Sequence, residues 1–428
     1  MATTNVLIFP CGAENAIVIH NALKYNVNFK VFGASSKNDH GRHVFENYIG
    51  GIPFIQDEDF ISIFNQVLFE NKIEIIFPAH DTVSKFLAEN RKNILSKIAV
   101  PDTKTAQICH DKGLIYDKFK NSKFCPQVYN WNENIVFPVF IKPKIGSGGK
   151  NTALVKSQEE LNFFKKVKND FLLVEFLPGD EITVDCFTDR HGKLRFAGPR
   201  NRKRVFGGIS VQSQTIPLTK EIKNISEEIN NKLKFRGLWF FQLKKDQNDQ
   251  YKLLEISIRT SSTMSLYSSL GVNFHLLTAY DLLGFDVEII KNNYQAEVDR
   301  SLANRFLLSL DYNTVYIDFD DTITRNKKIN EFVMLFLYQL VRKNKRIILL
   351  TRHEFNILNT LYNLKIDKRL FSEIKTLDKN QPKSEAILDS NKVIFIDNSY
   401  QERCEVKKKL GIPVFDVDAI QSLIDWRE

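Results

Sequence analysis

Residues 240–262 read FFQLKKDQNDQYKLLEISIRTSS, and this stretch decides the fold of the larger part of the chain. Apolar residues dominate 240–243 and 251–258, whereas KKDQNDQ (244–250) is wholly polar. Two strands joined by a polar turn are expected. Such a hairpin brings Gln242 and Glu255 side by side. Successive side chains of a strand point to opposite faces, so Glu255, Ser257 and Arg259 share one face. As structure alone, that face is a solvated strand surface. As chemistry, it is a platform for a divalent cation and a phosphate. Mg²⁺ takes oxygen ligands and commonly keeps phosphate oxygens among them, and arginine grips phosphoryl oxygens with a planar fork.

Upstream, FIKP (140–143) ends a strand at Lys142 and runs into KIGSGGKNT (144–152). Gly146, Ser147, Gly148 and Gly149 form a loop whose backbone N–H groups can approach phosphate oxygens, with Lys142 adding a point charge. VEFLPGDE (174–181) offers extended backbone at Glu175 and Phe176 for reading a base, and the Glu181 carboxylate for ribose hydroxyls. Taken singly, it is a strand with a turn at Pro178-Gly179. Further strands are expected at EITVDCFT (181–188) and KLRFAG (193–198), and polar residues 285–310 read as helical.

At the N-terminus, NVLIF (5–9) meets a turn at Pro10-Cys11-Gly12. A helical pattern through Ala16, Ile19, His20 and Leu23 follows, then FKVFG (29–33). Strand, turn, helix, strand opens a doubly wound α/β unit, and IEIIFPAHD (73–81) repeats the theme. Ligands of such sheets sit beyond the carboxyl ends of the strands. Gly12, Glu14, His80 and Asp81 are therefore candidate substrate contacts, although Gly12 can equally serve only the turn.

The last region opens with TVYIDFDDT (314–322), a buried strand ending in Asp318, Asp320 and Asp321. Three carboxylates at one strand tip are costly without a cation. Period-two spacing puts Asp318 and Asp320 on one side, where one carboxylate can attack phosphorus while the other shuttles the proton. Thr351 closes RIILLT (346–351), Lys383 stands in QPKS (381–384), and Asp397 closes VIFID (393–397). Thr351 can hydrogen-bond a phosphoryl group and Lys383 can neutralise it. Asp397, with Asp318 and Asp320, can bind Mg²⁺. Singly, Thr351 is a helix cap and Lys383 a surface lysine. The 27 residues from Thr324 to Thr351 and the 32 from Thr351 to Lys383 leave no room for an inserted cap domain.

The bulk figures agree with a multidomain enzyme acting on small anionic substrates. A chain of 428 residues exceeds one core, and 43% hydrophobic with 26% charged residues excludes long disorder. The formal charge of +9 is spread along the chain, so no nucleic-acid partner is expected. Five scattered cysteines without CxxC spacing argue against a disulfide frame or a zinc site. No apolar run reaches the roughly 20 residues of a membrane span, and no basic n-region precedes the first apolar stretch. A cytoplasmic location is expected.

Taken in order, HDKG (110–113), FIKPKIGSGGKN (140–151), VEFLPGDEITVD (174–185), GPRNRKRVFGGIS (198–210) and the 240–262 hairpin resemble the ATP-grasp superfamily, in its carbamoyl-phosphate-synthase-like branch. The resemblance covers roughly residues 1–300. It implies that Lys112 and Lys142 contact ATP phosphates, Glu175 and Phe176 line adenine, and Glu181 binds ribose. It further implies that Gln242 and Glu255 bind Mg²⁺, that Arg259 stabilises the phosphoryl group, and that Arg200 and Arg204 lie near the reacting groups. One departure is Ser257, where the family usually has Asn; a hydroxyl is the poorer metal ligand.

Residues 313–428 resemble the haloacid-dehalogenase (HAD) superfamily, with DFDDT (318–322) as DxDxT. IDNSYQER (396–403) resembles its IDDNxxER form, with Asn398 replacing the second carboxylate and Arg403 expected to hold the loop through Glu402 or a neighbour. Capless members use open sites or a neighbouring domain as lid.

The implied architecture is α/β and α+β multidomain: a Rossmann-like pre-ATP-grasp domain (1–98), an ATP-grasp fold (99–305) and a capless HAD-like Rossmannoid domain (313–428). The implied function is an ATP-grasp ligase, joining a carboxylate to an amine, fused to a phosphatase, with ATP and Mg²⁺ as cofactors and a phosphate ester as the further substrate. A kinase with a coupled phosphatase and a non-catalytic nucleotide-sensing or nucleic-acid-associated protein are the alternatives.

Overall fold

In a computed structural model the chain divides into two compact units, residues 1–302 and 303–428. The structure describes residues 3–427 apart from positions 134, 147, 168, 169, 302, 304, 305 and 307, so Ser147 lies outside the described residues.

Unit 1 opens with strands β1 (Thr4–Phe9), β2 (Phe29–Ala34), β3 (Asn47–Ile49), β4 (Ile73–Pro78) and β5 (Lys97–Ile98) in a parallel sheet of order β3-β2-β1-β4-β5. The continuous apolar run of β1 suits a central strand covered on both faces. Helix α1 (Glu14–Leu23) buries Ala16, Ile19, His20 and Leu23, the residues the helical pattern marks. Helices α2 (Phe60–Glu70), α3 (Asp81–Glu89), α4 (Thr103–His110) and α5 (Lys112–Phe119) follow. The Asp111 carboxylate caps α5 by accepting from Gly113 N–H at 2.7 Å, which puts Lys112 at its first turn.

Next come β6 (Val128–Tyr129), β7 (Val139–Pro143), β8 (Ala153–Val155) and β9 (Phe171–Glu175), forming an antiparallel sheet of order β6-β9-β7-β8. Strands β10 (Glu181–Thr188), β11 (Leu194–Asn201), β12 (Arg204–Phe206), β13 (Ile209–Gln214), β14 (Gly237–Lys245), β15 (Tyr251–Ser257) and β16 (Glu297–Asp299) build two more sheets, β11-β10-β14-β15 and β12-β13-β16. The β14–β15 hairpin pairs Gln242 with Glu255, then shifts register so that Leu243 faces Leu253.

The strands of residues 1–98 share their core with later ones: Leu7 and Phe9 lie in one apolar cluster with Val184, Trp239 and Leu253, and Val6 and Ile8 in another with Phe240 and Tyr267. Two expectations need correction. Residues 285–310 contain no helix among the described residues. The helix Phe274–Leu283 ends at Gly284 in the left-handed region, and the charges beyond it tie β16 to its neighbours through Lys203–Glu297 at 2.7 Å and Arg204–Asp299 at 2.6 Å. Arg200, expected near the reacting groups, is held inside the protein. It is 1% exposed, paired with Asp185 at 2.7 Å and bonded to Ser261 at 2.7 Å. Removing either member of such a pair leaves a buried charge, at a cost of about 3–5 kcal/mol.

Unit 2 is a second parallel α/β sheet. Its strands are β17 (Thr314–Ile317), the small hairpin β18 (Thr324–Arg325) and β19 (Lys328–Ile329), then β20 (Arg346–Thr351), β21 (Glu373–Thr376), β22 (Val393–Ile396) and β23 (Val414–Phe415). The main sheet has the order β21-β20-β17-β22-β23, all parallel. Val315 and Ile317 enter one apolar cluster and Tyr316 the other, so both faces are covered. Between Thr324 and Thr351 the chain forms the β18–β19 hairpin, the helix Glu331–Arg342 and β20. Among the described residues of the whole chain, no helix is long and apolar enough to cross a membrane.

Candidate functional site

Unit 1 holds a cleft of about 270 Å³ walled by β7, β9, β14, β15 and the start of α5. Lys112, Lys142, Gly146, Gly148, Gly149, Glu175, Phe176, Glu181, Gln242 and Glu255 all line it. The Lys112 ammonium donates to the Gly146 carbonyl at 2.6 Å and lies 3.7 Å from Glu255. Lys142 is buried, and its ammonium donates to the Tyr116 hydroxyl and, at 3.4 Å, to the Leu254 carbonyl. Burial, reinforced by the Lys112 charge, lowers Lys142 to about 7 against the opposing pull of Glu255 and Glu181. Glu175 is anchored by the Gln127 N–H at 2.8 Å. A Cβ at Gly208 would fall 2.2 Å from the Gly148 carbonyl, so the β12–β13 turn meets the glycine loop where Gly208 has no room for a side chain.

The cation that reaches this cleft from the GPRNRKR segment is Arg202, which was not singled out from the sequence. It pairs with Glu181 at 2.9 Å. With its oxygen toward Arg202 (2.9 Å) and its nitrogen toward Glu255 (3.2 Å), the Gln242 amide bridges the two. Alternation would put Arg200, Arg202 and Arg204 on one face. The chain instead leaves β11 after Asn201 and enters β12 at Arg204, so the three arginines find different partners.

A second cavity of about 80 Å³ shares Lys112, Gly146 and Glu255 with the first and adds His80, Asp81, His110, Ser257 and Arg259. Glu255, Ser257 and Arg259 thus line one space. Asp81 accepts from the Ser257 hydroxyl at 2.9 Å and from Arg259 at 2.8 Å. Burial alone would raise the Asp81 carboxyl, but the Arg259 charge and these hydrogen bonds hold it below its ordinary range. His80 caps α3 by accepting from Thr82 N–H. Gly12, Glu14 and Arg204 line neither cavity among the described residues. Glu14 pairs with Arg300 at 3.1 Å, and Gly12 packs so closely on Asp39 that a Cβ would lie 2.1 Å from its carboxylate.

In unit 2, Asp318, Thr351 and Asp397 sit at the carboxyl ends of three adjacent strands, β17, β20 and β22. Lys383, at the start of the helix Lys383–Ala386, donates to Asp318 at 2.6 Å and to Asp397 at 2.7 Å, and all four residues are buried. Burial pushes the Asp318 carboxyl up, against the pull of the Lys383 charge, and Asp397 shifts the same way. Burial would lower Lys383, but the two carboxylates hold its ammonium above the usual range. Asp320 stands outside this buried group: its side chain is 55% exposed and bonds His353 Nδ1 at 2.9 Å. His353 lies two residues beyond the end of β20, and nothing in its spacing distinguished it from a loop residue. Asn398 accepts from the Thr322 hydroxyl at 3.1 Å. Arg403 holds its loop through the Asp397 carbonyl (2.6 Å) and Asp416 (2.6 Å), not through Glu402, which pairs with Arg352 at 2.6 Å.

Residues 167–302 match the model of a family described as ATP-grasp in the biosynthetic pathway with Ter operon. A formate-dependent phosphoribosylglycinamide formyltransferase from Bacteroides fragilis is 24% identical over 59% of this chain and 74% of the relative. Biotin carboxylase from Campylobacter jejuni, crystallised as a β,γ-ATP complex, superposes with a TM-score of 0.57 at 15% identity, covering 69% of this chain and 74% of that one. An L-amino acid ligase from Bacillus licheniformis gives 0.52 at 18% identity, over 66% and 75%. The family these findings support is the ATP-grasp superfamily.

ATP-grasp enzymes use ATP and Mg²⁺. Unit 1 has donors for such an ion: a Glu255 carboxylate facing the cleft, with the Gln242 amide in register on the adjacent strand. Turning that amide presents its carbonyl oxygen beside Glu255. The Ser257 hydroxyl, expected beside the metal, donates to Asp81 instead. Among the described residues, no group of three or more His, Cys, Asp or Glu converges in either unit, so any Mg²⁺ here needs oxygens from ligand or water as well.

Proposed function

We propose that unit 1 is an ATP-dependent ligase that activates a small carboxylate as an acyl phosphate and joins it to an amine. Unit 2, in the same proposal, is a HAD-type phosphohydrolase with Asp318 as nucleophile. The observation that carries the first part is the convergence of Lys112, Lys142, Glu181, Gln242 and Glu255 on one cleft beside the extended segment at Glu175 and Phe176. A formate-dependent formyltransferase and an amino acid ligase among the relatives favour a carboxylate and an amine as partners.

Lys112 and Lys142 hold phosphate oxygens, Glu175 and Phe176 take the base, and Glu181 takes the ribose hydroxyls. Glu255 and Gln242 would hold Mg²⁺, which when bound would supply charge neutralisation at the triphosphate. The substrate carboxylate attacks the γ-phosphorus and ADP leaves; the amine then attacks the acyl carbon, phosphate leaves, and the nitrogen gives up a proton. Arg259 faces the transferred group from the neighbouring cavity. In unit 2 the Asp318 carboxylate attacks the phosphorus of an ester and Asp320 protonates the departing alcohol. Asp320 then takes a proton from the water that releases phosphate. Lys383 balances the negative charge beside Asp318 and Asp397, whose carboxylates suit a divalent ion.

The test is product balance across a panel of carboxylates, amines and phosphate esters. Ligation requires ADP and phosphate to form in equal amounts only when an amine is present. A stable phosphorylated acceptor formed without amine would replace the ligase with a kinase.

Lys142 gives a pH prediction. Held near 7 without nucleotide, it is stabilised as the ammonium by a bound polyanion, so ATP binding takes up a proton above that pH. Affinity should fall as pH rises through about 7, by up to roughly tenfold per unit. Calorimetry in buffers of different ionisation enthalpy should read an uptake approaching about one proton per ATP; no uptake would remove Lys142 from the phosphates.

A further inference from the structure

Tyr116 lies where three parts of the unit 1 cleft meet. It stands one helical turn beyond Lys112 on α5 and is 2% exposed. Its hydroxyl donates to the Leu254 carbonyl at 2.8 Å and accepts from the Lys142 ammonium, which also sits over its ring at 4.8 Å. Leu254 is the residue skipped by the register shift between β14 and β15, immediately before Glu255. Lys112, at the head of the same helix, has its N–H bonded to the Lys144 carbonyl at 2.9 Å and its ammonium on Gly146. One helix therefore touches the glycine loop, the buried lysine and the strand that carries Glu255.

A buried phenol needs a polar partner, and the Leu254 carbonyl alone would satisfy it. The hydroxyl spends its one proton there and turns a lone pair to Lys142. A lysine stripped of water is placed by the few acceptors it retains. Phenylalanine would keep the ring, its packing and its contact with the ammonium, and remove only the shared hydroxyl.

We propose that Tyr116 is a positioning residue whose hydroxyl sets the Lys142 ammonium for the nucleotide phosphates and couples it to the Leu254–Glu255 bulge. The proposal rests on reading the cleft as a nucleotide site. The test is Tyr116→Phe in the full chain, with ATP and adenosine titrated by calorimetry. Loss of a hydrogen bond to a charged group predicts about tenfold weaker ATP binding and adenosine binding within about twofold of the original. In a Lys142→Met background the same change should have no further effect on ATP. Equal weakening of ATP and adenosine would make Tyr116 a packing residue and overturn the proposal, as would unchanged ATP binding. Failure of the unsubstituted protein to bind either compound would instead remove the nucleotide reading, and the proposal with it.

Discussion

Asp318→Asn is expected to cut phosphate-ester hydrolysis by on the order of 10⁴-fold or more while ATP-dependent turnover in unit 1 continues. The side chain keeps its size and can still accept from Lys383, so the geometry at the ends of β17 and β22 survives. The nucleophile does not. Of the other two carboxylates at the site, Asp397 is buried against Lys383 and Asp320 is tied to His353, so neither is placed to take over attack. Thermal unfolding separates loss of the nucleophile from loss of fold. A carboxyl whose folded pKa is raised destabilises the native state once pH exceeds its unfolded value, because the charged form is the costly one. Asn removes that cost but also one of the two carboxylates that pair Lys383, which keeps Asp397 at 2.7 Å, so a melting curve of the variant beside the original protein checks the fold. Mass spectrometry after brief exposure to substrate should find an acyl-phosphate adduct on the unsubstituted peptide and none on the variant. Ester hydrolysis retained within tenfold would rule out Asp318 as nucleophile.

Glu255→Ala should produce the opposite pattern. ATP-dependent product formation is expected to fall by about 10³-fold, the loss typical of removing a group that stabilises transition-state charge, with ester hydrolysis intact. Glu255 is partly exposed to the cleft, and Lys112 keeps the Gly146 carbonyl when Glu255 is gone, so no buried charge is stranded. Mn²⁺ binding in the presence of nucleotide, followed by paramagnetic resonance, separates metal loss from other causes. ATP turnover near the original level, or undiminished Mn²⁺ binding, would move the metal away from the β14–β15 hairpin. A substitution that silenced both units in a folded protein would end the two-site model.

The strands that carry chemistry were readable because local physics specifies them. EITVDCFT and YKLLEIS occupy β10 and β15 over the same residues in the structure, and alternation along β15 already puts Glu255, Ser257 and Arg259 together. The carboxylates after β17 and β22 were legible for a similar reason: apolar runs that end in acid leave few places for the charge except a strand tip. The stretch 285–310 misled because its polar composition carries no period, and Gly284 closes the helix before it. Arg200 misled because charge alone does not distinguish a ligand contact from a buried strut to Asp185.

What the chain determines by itself is therefore the set of strands, their faces and the residues at their tips, since these depend on neighbours two to four positions away. Tertiary structure decides which partner each tip meets. Ser257 finds Asp81 across 176 residues, Lys142 finds Tyr116 across 26, and Lys383 finds Asp318 across 65. Arg202 rather than Arg204 enters the cleft because the chain changes sheets between them. No local period encodes such pairings; they follow from how sheets stack.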